Sequence, residues 1–166
     1  MGKPLIVVLG AGLGGTIAAY EIKAAVKGRA EVMVVSDTDT YSFIPSNPWV
    51  AVRWREPEAI QVHLPPVFAK KKIGFSSVGA RRLHASEKRL ELNDGSSITY
   101  DYLVIATGPE LAFDEIEGLG PQGHTVSVCQ TAHAAAAADA FDAFVEQPGP
   151  IVVGAVQGAS CYGPAY

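Results

Sequence analysis

Apolar residues in the first part of the chain form short continuous runs separated by glycine-rich or polar stretches. Leu5–Leu9 is followed by a glycine turn, a helical pattern over about Gly14–Val26 and a second apolar run at Val32–Val35. Strands that are apolar on both faces are typical of a buried parallel sheet. The pattern therefore predicts a β-α-β unit at the start of an α/β fold.

The middle of the chain changes character twice. Prolines at positions 45, 48 and 57 predict an irregular loop, and a short helix is predicted at Leu64–Lys72. Strand-like runs between Ile73 and Ile105 alternate with turn signals such as Asn93-Asp94-Gly95, which predicts a β-meander that leads into the strand of "TYDYLVIATG". An alanine-rich helix follows and ends at Pro148-Gly149-Pro150. The last segment, "PGPIVVGAVQGASCYGPAY", predicts the start of a second strand-turn-helix unit.

Composition narrows the functions that are compatible with this pattern. The 166 residues, 48% of them hydrophobic, suffice for one full core and part of a second domain. A net charge of −4 without a basic stripe argues against a nucleic-acid partner. No window approaches the roughly 20 apolar residues of a membrane span, and the first apolar run is too short for a signal peptide. Two cysteines, Cys129 and Cys161, lack the close spacing of a zinc site, so no metal is expected.

The glycines after the first strand carry the clearest chemical signal. The stretch from Gly10 to Gly15, "GAGLGG", matches G-x-G-x-x-G directly after a strand and at the start of a helix. In this pattern Gly10 allows the tight turn, Gly12 lets backbone approach a pyrophosphate, and Gly15 brings helix and strand together. The helix N-terminus adds N–H groups and a positive dipole end for phosphates. The alternative is a glycine turn that binds no ligand.

Two other strand ends complete the predicted nucleotide site. Ser36 and Asp37 close the second strand, where an acidic side chain commonly binds a ribose hydroxyl. Asp37 as a turn residue or a helix cap is the alternative. Ala106, Thr107 and Gly108 end the later strand, and small residues there let exposed backbone contact a flat cofactor.

These motifs together resemble the two-dinucleotide-binding-domain flavoproteins. The second glycine turn, Gly154–Gly158, has Val156 where nicotinamide-binding relatives have glycine, so we expect NAD(P)H to fit it badly. "YSFIPSNPWVAV", Cys129 and "VGAVQGASCYGPAY" are similar to the sulfide:quinone oxidoreductase family, and the likeness runs over the whole chain. The resemblance implies a Rossmann-type FAD-binding domain with a β-meander over residues 1–110, lacking its C-terminal segment. The start of a second, degenerate nucleotide-binding domain follows over residues 111–166.

The resemblance also implies a chemistry. Sulfide attacks a protein disulfide and leaves a persulfide, the released thiolate reduces FAD, and the electrons pass to a membrane quinone. Cys161 corresponds to one member of the redox-active pair, Cys129 to the auxiliary cysteine and His133 to a histidine that handles protons. Cys161 also falls at a predicted helix N-terminus, where the dipole favours a thiolate. A third family cysteine has no counterpart in this chain.

Each of these side chains has a plainer interpretation. Either cysteine is otherwise a small buried residue, and His133 is otherwise a surface histidine of an alanine helix. The remaining histidines are expected at the surface or in loops, and for both tryptophans core packing is favoured over a place beside the flavin or quinone. The histidines are His63, His84 and His124, and the tryptophans are Trp49 and Trp54.

The implied partners are sulfide and a quinone, with a membrane surface docking through regions absent from this chain; a homo-oligomer is compatible with the sequence. We expect a peripheral protein of a prokaryotic inner (plasma) membrane, or a cytoplasmic fragment. Relatives with two intact domains and a docking region need roughly 350 to 450 residues, so we expect this chain to be an inactive N-terminal part.

Three alternative functions stay open. The flavin subunit of flavocytochrome c sulfide dehydrogenase is disfavoured because the segment "TYSFIPSN" has no cysteine for a covalent flavin and no signal peptide is seen. A type II NADH:quinone dehydrogenase is disfavoured by Val156. A module that binds FAD or another nucleotide without turnover belongs to a different class.

Overall fold

The structure is a computed structural model and describes residues 2–154. The described chain begins with a β-α-β unit and ends with the longest helix. The elements are β1 Leu5–Leu9, α1 Leu13–Val26, β2 Glu31–Val35, β3 Thr40–Ser42, α2 Asn47–Ala51, β4 Gln61–His63, α3 Leu64–Lys70, β5 Gly74–Ser76, β6 Ala80–His84, β7 Arg89–Leu92, β8 Ser97–Thr99, β9 Tyr102–Ile105 and α4 Thr131–Glu146.

A parallel sheet forms the centre of the first part of the molecule. Its strand order is β5-β2-β1-β9, and every neighbouring pair is parallel. Val8 packs with Phe68 of α3 in one core cluster, whereas the adjacent Val7 packs with Leu90 of β7 in a second cluster. Successive side chains of a strand point to opposite faces, and full burial of each such side chain stabilises the fold by about 1.5–3 kcal/mol. Helices therefore cover one face of the sheet and the antiparallel meander β6-β7-β8 covers the other.

The predicted α/β class, the opening β-α-β unit and the meander are confirmed. The predicted irregular loop around the prolines is partly wrong. Residues 47–51 form α2, and single helical turns form at Ile44–Ser46 and Pro57–Ile60. Each of these elements has a proline in its first turn, where the missing N–H has no partner to lose and the fixed φ suits a helix.

Contacts divide the chain into two compact units. The first comprises Met1–Tyr41 and Val62–Glu110, and the second comprises Ser42–Gln61 and Leu111–Tyr166, described as far as Gly154. The first unit ends at Glu110, and residues 42–61 group with the second unit. The expected strand that precedes the second glycine turn has no regular secondary structure over residues 151–154, and the turn itself lies outside the described residues.

His84 departs from its expected place at the surface or in a loop. It ends β6, its side chain is 22% exposed, and its Nε2 lies 3.2 Å from Oε2 of Glu91 on β7. This hydrogen bond, with Arg81 and Arg89 nearby, holds the pKa of Glu91 below its ordinary value. His84 is thus part of the cross-strand pairing of the meander.

Candidate functional site

The carboxyl ends of three parallel strands meet in the first unit. Leu9 is paired with Val35 of β2 on one side and with Ile105 of β9 on the other. The residues that follow these three are Gly10, Ser36 and Ala106. Backbone hydrogen bonds continue across this edge, from Gly10 N to the Val35 carbonyl at 2.7 Å and from Ala106 N to the Leu9 carbonyl at 2.8 Å. Sheet register alone therefore brings together the three predicted segments of the nucleotide site.

The three fingerprint glycines have different surroundings. A Cβ on Gly10 would overlap the Ala106 carbonyl oxygen, and the backbone φ there is +106°. A Cβ on Gly15 would overlap the Gly10 carbonyl oxygen. At Gly12, by contrast, no atom lies within 4 Å of the position that a Cβ would take. Gly10 and Gly15 thus allow close packing of strand, turn and helix, and Gly12 faces open space into which a ligand can fit.

The start of α1 supplies donors to that space. Gly12 is the residue before the helix, no side chain caps it, and the first turn contains no acidic residue. Thr16 ties the turn down, since its N–H donates to the Gly12 carbonyl at 2.9 Å and its hydroxyl donates to the Ala11 carbonyl at 3.1 Å. The first N–H groups of a helix have no partner within it, and with the helix dipole they favour an anion. This donor set fits a pyrophosphate.

Ser36 and Asp37 differ in their exposure to solvent. Ser36 is buried, and its hydroxyl accepts a hydrogen bond from Thr38 N at 3.4 Å, whereas Asp37 is exposed in a bend at the sheet edge. The chain continues from Asp37 into β3 and not into a helix, so the helix-cap interpretation of Asp37 is wrong. The exposed carboxylate of Asp37 can accept a hydrogen bond from a ribose hydroxyl.

The third segment continues β9 without a regular element. Ala106 is half-buried, while Thr107 and Gly108 are exposed, and Gly108 has a φ of +75°. Small, exposed residues leave the backbone of this segment accessible to a flat ligand.

The predicted thiol chemistry has only one of its cysteines in the described part. Cys129 is exposed, so the interpretation of it as a small buried residue is wrong, and its N–H donates to Ser127 Oγ at 3.1 Å. Cys161 lies outside the described residues. His133 is half-buried as the third residue of α4, and its ring centroid lies 5.8 Å from that of Phe113. His133 Nδ1 is buried and has no hydrogen-bond partner in the described part of the chain, so the surface interpretation does not hold.

Sequence reasoning missed one residue of the second unit. Asn47 is 0% exposed, and its side chain bonds to Val128 and Thr131, on either side of Cys129. The only available signal was an asparagine just before a proline in "PSNPW", and that pattern does not distinguish a buried amide from a turn.

The expectation that both tryptophans pack in the core is wrong. Trp49 is 41% exposed and Trp54 is 77% exposed. The guanidinium carbon of Arg55 lies 3.9 Å from the Trp49 ring centroid, so a cation covers one face of that indole. The indole ring of tryptophan also carries a polar N–H, so a tryptophan side chain can lie partly in solvent or against a cation.

An ion-pair cluster joins Arg53, which lies two residues after the end of α2, to α4. Arg53 Nε and Nη2 donate to Asp142 Oδ2 at 2.8 and 2.6 Å, and Nη2 also donates to Asp139 Oδ1 at 2.7 Å. The hydrogen bonds to Asp142 and then Asp139 raise the pKa of Arg53 above its ordinary value. The guanidinium therefore stays charged and binds the two carboxylates of α4 at the surface.

Residues 2–154 contain no helix long and apolar enough to cross a membrane. Nor does this part of the chain bring three or more His, Cys, Asp or Glu side chains into a cluster that could hold a metal ion.

The fold and the carboxyl-edge glycine turn define a Rossmann-type dinucleotide-binding protein. The family model described as pyridine nucleotide-disulphide oxidoreductase matches residues 4–155, and the chain belongs to that family. FAD is a cofactor of this family.

Particular relatives narrow the likeness further. Sulfide-quinone reductase of Aquifex aeolicus (strain VF5) is 35% identical over 161 residues, which cover 97% of this chain and 36% of that protein. The mitochondrial sulfide:quinone oxidoreductase of Dictyostelium discoideum is 28% identical over 126 residues, covering 69% of this chain and 25% of that protein. The solved structure of the Aquifex aeolicus sulfide:quinone oxidoreductase superimposes with a TM-score of 0.91 over 99% of this chain and 37% of its own. The chain thus spans little more than a third of the length of the Aquifex relatives.

Proposed function

We propose that the protein is an FAD-dependent sulfide:quinone oxidoreductase that oxidises sulfide to polysulfide or sulfur and passes the electrons to a membrane quinone. The observation that carries the proposal is the 35% identity to the Aquifex sulfide-quinone reductase over 97% of this chain. The carboxyl-edge geometry of the first unit supports the cofactor, because the open space at Gly12 and the uncapped start of α1 suit a pyrophosphate.

In this proposal the first unit holds FAD. The turn from Gly10 to Gly15 and the first N–H groups of α1 bind the pyrophosphate, and the Asp37 carboxylate accepts from a ribose hydroxyl. Residues 106–108 present backbone to the flat part of the cofactor. When bound, FAD supplies a two-electron acceptor between the thiols and the quinone. Residues 1–110 are then the FAD-binding part, and residues 111–166 begin the second domain.

The thiols carry the sulfide chemistry. Hydrosulfide attacks one sulfur of a disulfide between Cys161 and a cysteine outside this chain; the S–S bond breaks, a persulfide forms on one cysteine and the other leaves as a thiolate. Cys129 assists as an auxiliary thiol, and His133 takes up or releases the proton of the attacking sulfur species. The proposal also includes peripheral docking of the protein on the surface of the inner membrane. It further includes assembly of the protein into a homo-oligomer.

Anaerobic reduction of the flavin by sulfide tests this proposal in the full-length protein. Sulfide is expected to bleach the flavin absorption band of the parent. Cys161→Ser is nearly isosteric, so FAD stays bound, but bleaching slows by about 100-fold or more because the attacked disulfide is gone. Cys129→Ser is expected to slow bleaching less.

The same experiment separates the alternatives. NADH added in place of sulfide is expected to leave the band unchanged, and rapid bleaching by NADH would favour the dehydrogenase. Parent-like bleaching by sulfide in Cys161→Ser would remove that residue from the reaction. No bleaching by either reductant, with FAD retained, would support the module that binds without turnover.

A further inference from the structure

The amide of Asn47 is the most completely buried polar side chain near the candidate thiol. It opens α2, is 0% exposed and uses both of its ends. Nδ2 donates to the Val128 carbonyl at 3.0 Å, and Oδ1 accepts from the Thr131 hydroxyl at 3.1 Å. A carbonyl oxygen can only accept, so the contact with Val128 fixes which end of the amide is the nitrogen.

The two partners of Asn47 flank Cys129 closely. Val128 precedes it, and Thr131 follows two positions later as the first residue of α4. Residues 125–130 form no helix or strand, so regular backbone pairing does not hold this stretch. The Cys129 N–H instead donates to a side chain, Ser127 Oγ. The Asn47 amide is therefore hydrogen-bonded to residues at both ends of the bend that carries the Cys129 thiol.

The same amide defines where α4 begins. Thr131 is 7% exposed, and the residue before it, Gln130, makes no side-chain capping bond. The first α4 backbone bond runs from Ala134 N to the Gln130 carbonyl at 2.9 Å. His133 lies in this first turn, so a shift at Thr131 moves His133 as well as Cys129.

We propose that Asn47 is the positioning residue for Cys129 and His133, acting through Val128 and Thr131; the catalytic part of this inference rests on the proposed function. An apolar side chain of similar volume would fill the space but would remove the donor to the Val128 carbonyl and leave the buried Thr131 hydroxyl unpaired. A buried group without a partner is costly, so the bend would rearrange to reach water. The amide is thus needed for the place of the thiol and not only for packing.

Three variants and a control test this inference in the full-length protein. Asn47→Leu removes both hydrogen bonds, and Thr131→Val removes one of them with little change of shape. Thr131→Ser keeps a hydroxyl at position 131 and loses only the methyl group. Ile60→Val is the control, because Ile60 is a buried apolar residue of the same unit that makes no contact of this kind. Hydrogen exchange is measured at the amides of Cys129 and Ala134, with the last turns of α4 as an internal reference.

Asn47→Leu and Thr131→Val are expected to exchange about tenfold faster at these two amides, with the internal reference unchanged. The limiting rate of flavin reduction by sulfide is expected to fall about tenfold at an unchanged half-saturating sulfide concentration, because positioning and not binding is lost. Thr131→Ser is expected to restore most of both properties, and Ile60→Val to stay close to the parent.

The outcomes separate this inference from the proposed function. Parent-like exchange in Thr131→Val overturns it even where Asn47→Leu does not fold. Faster exchange with an unchanged limiting rate of flavin reduction shows that the Asn47 hydrogen bonds have a structural role only. That result also overturns the inference. A parent protein that does not react with sulfide contradicts the proposed function, while exchange still decides whether Asn47 holds the bend.

Discussion

In the first unit, Gly10, Ser36 and Ala106 are brought together by backbone hydrogen bonds of a parallel sheet, whereas in the second unit Cys129 is held in place by side chains. The sheet needs no particular side chain at these three positions, apart from the absence of a Cβ at Gly10. The bend at Cys129 needs an amide at Asn47 and a hydroxyl at Thr131 with their partners in reach.

This contrast has an energetic side. Backbone pairing in the interior of a sheet is cooperative, so a local change spreads to the whole unit. A side-chain hydrogen bond contributes only about 0.5–1.5 kcal/mol net, but its loss leaves a buried partner unpaired. We therefore expect a substitution in the first unit to affect either folding or cofactor binding, but not both. A substitution in the second unit is expected to have an effect of intermediate size.

The largest expected effect is that of Gly10→Ala. The new Cβ overlaps the Ala106 carbonyl oxygen at a φ of +106°, so strand and turn must separate, at a cost of about 3 kcal/mol or more. Gly28→Ala is the matched control, because Gly28 has a φ of +78° but no atom within 4 Å of its Cβ position. It is expected to cost about 1 kcal/mol. Equal denaturation midpoints for the two variants would show that the close approach at the sheet edge is unimportant.

Gly12→Val is expected to leave the fold nearly intact and to abolish flavin retention. The φ of −68° and ψ of −170° suit any residue, and the surroundings are open, so the folding cost stays below about 1 kcal/mol. The valine side chain occupies the space where the pyrophosphate is proposed to lie. The measurement is the ratio of flavin to protein after purification, with a thermal melt as the check of folding. Gly149→Val, also in open space, is the control and is expected to stay yellow. A yellow Gly12→Val protein would place the cofactor elsewhere.

Arg53→Ala is expected to have the smallest effect, although Arg53 binds two carboxylates. The arginine side chain is 51% exposed, and its partners Asp139 and Asp142 are 76% and 59% exposed. Exposed ion pairs contribute little and are screened by salt. Melting temperatures at low and high salt are expected to show a small loss that disappears at high salt. Arg81→Ala, whose guanidinium lies 3.7 Å from Glu91, is the surface control. A large, salt-independent loss would show that this cluster anchors the segment after α2 to α4.

Local patterns sufficed for the first unit because its site is made of neighbours in sequence and of strand ends. Apolar runs predict the strands, and parallel strands align their carboxyl ends, so the sequence suffices to place Gly10, Ser36 and Ala106 at one edge of the sheet. The helix α1 was predicted nearly to the residue, since Gly12 lies directly before its start and Gly28 lies two residues after its end.

The second unit shows where such patterns stop. Prolines read as helix breakers stand instead in the first turns of short helices, because the same fixed φ suits both roles. Both tryptophans were expected in the core, yet Trp49 is covered by Arg55 and Trp54 is exposed. The roles of Cys129, His133 and Cys161 stay predictions.

The sequence by itself determined the α/β class, the β-α-β start, the glycine turn and the meander, since each depends on residues within about 30 positions of one another. Only the tertiary structure decided that Cys129 is exposed, that His133 Nδ1 is buried and that Asn47 reaches Val128 and Thr131. Those contacts join residues 81 and 84 positions apart. A buried amide satisfied at that separation leaves no periodicity or spacing in the chain, because its partners are a backbone carbonyl that any residue supplies and a single hydroxyl.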